Sequence, residues 1–463
     1  MANAVMTYPA HGRAVLRLGL PLIGGHMGQI AIGVTDSVML GWYGIEELAA
    51  VTLAGSAYFL LFLLGAGFAW AVMPMVATFA AEQDERSIRR ATRMGLWLSL
   101  LYAVCVMPLM LWSLPILQLL GQGETTSVLS AEYLRVASWG IFPALVVMTL
   151  KSYLAALERT QIVLWMTIAA ALANGIANYA LIYGNWGFPE LGITGAALAS
   201  IITQLVMLAA VVIYALRVLP EHALFKRFWR ADWEMFRRVA RLGIPIGLTT
   251  LSEVGMFNAS AIMMGWLGTV PLAAHGIAMN ITSVMFMAHL GLANVATIRV
   301  GNALGRQDRL HLIRGGHTVI CLSVLFSAAT IALFLSVPEA LVSLFMQPQE
   351  PDRLEILRIG VVLLALAALF QLVDGLQVVG LGLLRGVQDT GVPMLLAAIS
   401  YWGVGMPAGY VLGFVFGWDG AGIWLGMSLG LGTAAALLNA RFWGWSVREV
   451  GKSLSGDGRC SDP

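Results

Sequence analysis

Charge is scarce in this 463-residue chain. Lysine, arginine, aspartate and glutamate make up 11% of it, against 59% hydrophobic residues, and the mean hydropathy is +0.81. A soluble chain carries roughly a quarter charged residues. A fold surrounded by water cannot bury so much apolar surface, so lipid is expected to solvate much of it. The net charge of +2 makes no electrostatic case for nucleic acid, and none is expected as a partner. Cysteine is also rare. Cys105 and Cys321 lie in apolar stretches and Cys460 in the polar tail. They form neither a disulfide framework nor a metal-ligand spacing, and they read as incidental. No Walker A motif or dinucleotide fingerprint occurs. Gly380-Leu381-Gly382 sits inside an apolar segment rather than after a soluble strand. No nucleophile–base pair is evident, so neither an enzyme nor a cofactor is expected. The first apolar run is too long for a cleaved signal peptide and lacks a small-residue cleavage site.

Long apolar runs are plentiful. A membrane-spanning helix needs about 20 mainly apolar residues. Twelve segments qualify, at 15–38, 48–80, 94–120, 132–157, 161–184, 192–217, 239–263, 270–300, 315–346, 356–384, 391–416 and 420–446. The expected fold class is therefore an all-α integral membrane protein. Basic residues gather in alternate connections: Arg13 and Arg17; Arg86, Arg89, Arg90 and Arg93; seven between Arg217 and Arg241; Arg299 to Arg314; and Arg441 to Arg459. The other side has only Arg135, Arg353 and Arg358 near its loops. Arginine and lysine favour the cytoplasmic side, which puts both termini there.

The chain repeats itself. Arg17-Leu18-Gly19-Leu20-Pro21 matches Arg241-Leu242-Gly243-Ile244-Pro245. Met39, Gly41, Trp42 and Gly44 match Met263, Gly265, Trp266 and Gly268. Gly67 matches Gly291, and Gln83-Asp84 matches Gln307-Asp308, every pair 224 residues apart. Farther on, Glu132, Leu134 and Arg135 are paired with Glu355, Leu357 and Arg358 at a spacing of 223. The expected organisation is a six-helix bundle over 1–218, a cytoplasmic linker over 219–238, a second six-helix bundle over 239–447 and a cytoplasmic tail over 448–463. Six is even, so both bundles enter the membrane in the same direction. They are expected to be pseudo-symmetric about the membrane normal and to enclose a central cleft, the layout of an alternating-access carrier. Duplicated bundles also serve as channels or scaffolds.

Three acids interrupt the apolar segments: Asp36, Glu253 and Asp374. Between Arg241 and His275 Glu253 is the one charged side chain, with no base beside it. A charge at the bilayer centre costs about 2.5–3.5 kcal/mol on insertion scales, so such residues face protein or water and mark ion or substrate paths. The competing reading is a protonated acid joining helices. Glu253 lies 12 residues past Arg241, about 18 Å along a helix, and Asp374 lies 14 residues past Gly360 from the other side. Both reach mid-membrane, where two acids suit a hard cation such as Na⁺ or a shared proton. In the repeat Glu253 falls on Gln29 and Asp36 on Ser260. The halves are thus alike in architecture and different in chemistry. Asn174 and Asn178, four apart, share a face and suit a site or interhelical bonding equally. Glycines at 405, 409, 413 and 417 and at 422, 426 and 430 read as close-packing faces. Lys151 fits a snorkelling side chain, and His26, His275 and His289 are not spaced as a metal site.

The combination resembles the multidrug and toxic compound extrusion (MATE) family, in its NorM-like bacterial branch. The resemblance covers about residues 12–450. It rests on the Arg-Leu-Gly-x-Pro opening of each half, on Asp36 in VTDSVMLGWYG, on Glu253 in LSEVGMFNAS and on Asp374 in LVDGLQVVGLGLLRGVQDTG. It implies a monomeric antiporter of the bacterial inner membrane that exports amphipathic, often cationic, small molecules in exchange for Na⁺ or H⁺. By the same resemblance Glu253 and Asp374 bind the cation, as metal ligands if it is Na⁺. Asp36, Asn174 and Asn178 form a first-half cluster for cation or drug. Some members carry a tyrosine one turn before the second-half aspartate. Phe370 stands there in this chain, which removes a hydroxyl ligand and leaves a ring face for a cation–π contact. The alternative function is a flippase for lipids or lipid-linked precursors. Flippases of that kind tend to carry a basic cavity, whereas the intramembrane charges here are acidic.

Overall fold

The structure is a computed structural model that describes residues 6–347 and 351–454. Cys460 and the tail beyond residue 454 lie outside the described residues. No strand occurs among them. Twelve long helices carry the fold: α1 Tyr8–Tyr43, α2 Ile45–Ala81, α3 Glu85–Leu111, α4 Glu124–Ala156, α5 Thr160–Tyr183, α6 Gly192–Val218, α7 Trp233–Leu267, α8 Thr269–Gly305, α9 Arg309–Ser336, α10 Arg353–Gly386, α11 Gly391–Val415 and α12 Asp419–Val450. Eleven are long and apolar enough to cross a membrane. The twelfth, α7, is 35 residues long and is made more polar by Glu253, Asn258 and its threonines. The protein is thus a multi-pass, all-α membrane protein.

Most helices overrun the expected bounds, because polar residues at their ends extend the helix beyond the apolar run. Two are shorter. α3 ends at Leu111 and a separate turn, Ser113–Leu119, follows a break at Trp112 (φ −104°, ψ 35°). α9 ends at Ser336 before Pro338, which opens another short helix, Pro338–Ser343.

Local chemistry explains the repeated connections. Gly44 and Gly268 occupy matching one-residue joints, α1 to α2 and α7 to α8, and Gly268 has φ +128°. After α2 and α8, Gln83 (φ 59°) and Gln307 (φ 54°) turn the chain in the left-handed region. Asp84 then accepts from the Ser87 N–H at 3.0 Å and Asp308 from the His311 N–H at 2.9 Å, capping α3 and α9. The spacing of 224 therefore holds through the starts of α3 and α9.

The pairing of Glu132 with Glu355 does not hold. α4 and α10 begin at residues 124 and 353 and end at residues 156 and 386. Each is followed by a left-handed residue, Glu158 and Gln388, both at φ 61°. The true offset there is 230, and short motifs at a helix start cannot reveal the insertion that precedes it.

Packing divides the chain into two compact units. One is Gly24–Gly247. The other joins the segment ending at Ile23 to the chain from Leu248 onward. The seams are themselves 224 residues apart. In the first unit α2 packs extensively on α4 around Ala66, Met110, Ile141 and Leu145. The opening of α7 lies so close to α2 that a Cβ on Gly67 would stand 2.5 Å from the Gly243 carbonyl oxygen. In the second unit α8 packs on α10, and a Cβ on Gly291 would meet the Ile23 side chain at 2.5 Å. There Arg299 joins the start of α1 to α9, with Nη2 2.7 Å from His311 Nε2 and 3.3 Å from His11 Nδ1.

The glycine rows of α11 and α12 face each other. A Cβ on Gly426 would collide with the Gly409 backbone, and one on Gly422 with Gly413 and Leu412. Gly417 is not part of this face; its φ of +70° makes the turn into α12. We expect Gly426→Ala to destabilise the protein by about 1–3 kcal/mol, the usual range for overpacking. Gly25→Ala, where nothing lies within 4 Å, serves as control. Thermal unfolding of both variants in detergent checks this, and equal melting temperatures would contradict the close approach.

Candidate functional site

The first unit gathers one acid and its donors from three helices. Asp36 of α1 is half-buried, and Asn174 and Asn178 of α5 are fully buried. Asp36 Oδ1 accepts from Asn178 Nδ2 at 2.6 Å and from Asn174 Nδ2 at 3.0 Å. Ser200 Oγ of α6 donates to Oδ2 at 3.5 Å. Asn178 Nδ2 also reaches Asn174 Oδ1 at 3.3 Å, and Asn178 Oδ1 is buried with no hydrogen-bond partner. Spacing alone left the asparagine pair open between a site and interhelical bonding. The structure brings all three predicted residues together and gives the amides a specific task, solvating a carboxylate where water is scarce. Deeper in the unit Lys151 does not simply extend outward: its Nζ donates to Gln29 Oε1 at 3.4 Å.

The second unit treats its acids differently. Glu253 of α7 is 8% exposed and Asp374 of α10 is 2% exposed. The two carboxyls are close enough to interact electrostatically. Glu253 is not without a base, as the sequence suggested. Arg385, near the end of α10, lies within electrostatic reach of it. The signal was present: residues 374, 378, 381 and 385 line one face of a helix over three turns. Glu253 Oε1 and Asp374 Oδ1 are buried and make no hydrogen bond. The side-chain oxygens of Gln371 and Gln377, about one turn to either side of Asp374, are also buried and unpaired. The donor set is therefore carboxylate and amide oxygen. That suits a hard cation or a proton, with two carboxyls and one guanidinium in reach.

A local irregularity in α11 shapes this site. The helix widens to π geometry over Ile399–Gly405, a feature frequent at functional sites. Tyr401, fully buried, feels the charges of Glu253, Asp374 and Arg385, and its hydroxyl accepts from Gln377 Nε2 at 2.5 Å. The next residue, Trp402, donates through Nε1 to Ser252 Oγ at 3.0 Å, beside Glu253. Sequence reasoning missed Tyr401 and both glutamines. Phe370 is buried between Phe257 and Trp424, at centroid distances of 5.9 and 5.4 Å. The histidines serve as hydrogen-bond partners: His275 Nδ1 accepts from Trp424 Nε1 at 3.1 Å, and His289 lies 3.0 Å from Ser323 Oγ. Among the described residues no cluster of three or more His, Cys, Asp or Glu could hold a metal ion.

A sequence model of the MatE family matches residues 21–180 and 245–411. The chain is 43% identical over 445 residues to the probable multidrug resistance protein NorM of Rhizobium meliloti (strain 1021), covering 96% of this chain and 95% of that one. It is 41% identical over 435 residues to the protein of the same name in Agrobacterium fabrum, covering 94% of each. Among solved structures, a MATE protein in complex with MaL6 superposes with a TM-score of 0.85 at 21% identity, covering 96% of this chain and 97% of that one. A eukaryotic MATE transporter gives 0.84 at 17% identity, covering 96% and 99%. At these identities the structural likeness is one of fold.

The Asp36 cluster makes a stability prediction. A hydrogen bond to a charged group contributes about 1.5–3 kcal/mol, so Asn178→Ala should cost that much. In a double-mutant cycle with Asp36→Asn the two losses should be non-additive. Chemical unfolding in detergent measures both, and additive losses would mean that the amide does not support the acid.

Proposed function

The chain belongs to the MatE family, a family of membrane transporters and not of enzymes, and from that premise we propose that it is a multidrug efflux antiporter. It exports amphipathic, often cationic, organic compounds, and Na⁺ or H⁺ entering the cell drives the exchange. The NorM relatives are named for multidrug resistance, which supports the substrate class. The basic connections support an inner-membrane protein with both termini in the cytoplasm.

One observation carries the coupling: Glu253 and Asp374 are buried within reach of each other, and each keeps an oxygen free of hydrogen bonds. An entering cation would bind to these oxygens, as metal ligands if it is Na⁺. The amide oxygens of Gln371 and Gln377 are further acceptors on the same stretch of α10. Arg385 limits the demand to about one positive charge. Asp36, held by Asn174 and Asn178, offers a fixed negative charge to a second cation or to the drug. Phe370, one turn before Asp374, could offer a cation–π contact only if its packing between Phe257 and Trp424 opens. The two halves would alternate access, with the cation binding one state more tightly than the other, since unequal binding is what shifts an equilibrium.

The test is efflux from liposomes holding the purified protein and a fluorescent organic cation, under separately imposed Na⁺ and H⁺ gradients. Native protein should extrude the dye under at least one gradient. Glu253→Gln and Asp374→Asn should each reduce gradient-driven efflux to background, while membrane insertion and monodispersity stay native. Full efflux by both variants would refute the role of the pair.

A further inference from the structure

Away from the acids, a cavity of about 1010 Å³ opens at the inner end of α3, on the face that the arginine bias assigns to the cytoplasm. Its other wall is the stretch from Lys226 to Glu234 that leads into α7. That stretch is fastened to α3. Trp97 Nε1 donates to the Phe228 carbonyl at 3.0 Å, and Arg93 Nη1 donates to the Arg227 carbonyl at 3.1 Å. Seven arginine and lysine side chains line the cavity against three carboxylates. The carboxylates are already engaged. Arg90 holds both Asp232 and Glu234, and Asp84 caps α3. Asp232 also lies within electrostatic reach of Arg93, and a basic excess remains over the three carboxylates. Arg93 is 7% exposed and its Nε makes no hydrogen bond. Burying a guanidinium among like charges is unfavourable unless an anion is to be met there.

Two neighbours fix the level of this basin. Trp229 and Trp233 are 78% and 64% exposed. Exposed indoles beside basic residues favour the headgroup region of a bilayer.

We propose that this basin binds the phosphate of an acidic phospholipid headgroup. Soluble phosphates share the chemistry, and the exposed tryptophans favour the lipid. The inference does not depend on which compounds the protein exports.

The test uses the full-length protein, delipidated in detergent, with phosphatidylglycerol, phosphatidylcholine or inorganic phosphate added at matched concentration. Native mass spectrometry reads the adducts. Phosphatidylglycerol should be retained preferentially. The surface triple variant Arg86→Gln, Arg89→Gln, Arg230→Gln should weaken its binding on the order of a hundredfold, from the usual worth of a basic residue at an anionic surface. Replacing the same three by lysine should largely preserve binding. Thermal unfolding confirms that the variants fold. Equal retention of both lipids, or unchanged retention by the glutamine variant, would overturn the proposal. So would complete displacement of the lipid by equimolar inorganic phosphate, which would make the basin a site for soluble anions.

Discussion

A carboxyl group placed between apolar helices must find its solvation in protein, and most of what is distinctive in this molecule answers that demand. The two units answer it in opposite ways. In the first, Asp36 is surrounded by neutral donors, two amides and a hydroxyl. Its carboxyl is held in place by these hydrogen bonds. In the second, Glu253 receives electrostatic support from one guanidinium, Asp374 lies in reach of Glu253, and each carboxyl retains an oxygen with no hydrogen bond. A carboxyl satisfied by fixed donors is held in one geometry. A charge left with open acceptors has room for a partner that comes and goes.

The scaffold makes such placement possible by being dense elsewhere. Glycine rows let α11 and α12 approach until a single methyl group would collide. The π segment Ile399–Gly405 then shifts the register of α11 locally, which sends Tyr401 into the acid cluster and lets Trp402 bond to Ser252. A regular helix has one direction per residue every 100°, and the wider turn supplies the extra freedom. Close packing and local irregularity work together: the first fixes the helix axis, the second aims its side chains.

Much of this was legible in the residues. Twelve apolar runs announce twelve helices, because the bilayer sets their length. The spacing of 224 survives in the joints at Gly44 and Gly268 and in the caps at Asp84 and Asp308. The cluster of Asp36, Asn174 and Asn178 followed from the family resemblance, whereas spacing alone left the asparagine pair open between a site and interhelical bonding. What escaped depended on three dimensions. Arg385 lies 11 residues beyond Asp374, just past the end of the expected apolar segment, though three turns return it to the same face. Tyr401 and the glutamines Gln371 and Gln377 carry no formal charge and do not stand out in an apolar run. The insertion before α10 was hidden by three coincident residues. Helix ends, where left-handed Glu158 and Gln388 mark the same turn, are the more dependable register.

The repeat finally constrains how the acids came to differ. Gln29 stands where the second half has Glu253, and Ser260 where the first half has Asp36. These two matched places take a polar side chain in both halves, charged in one and neutral in the other, whereas Asp374, at the offset of 230, falls on apolar Ala144. The duplicated helices supply positions where polar atoms are tolerated, and the charge at each position is free to change without moving the backbone. Were every matched place acidic, a cation would find similar oxygens in both units and its binding would favour neither. Confining the open pair to one unit would make the proposed cation binding asymmetric. Asymmetry of that kind is the least that a bound ion needs in order to bias one arrangement of a duplicated structure over another.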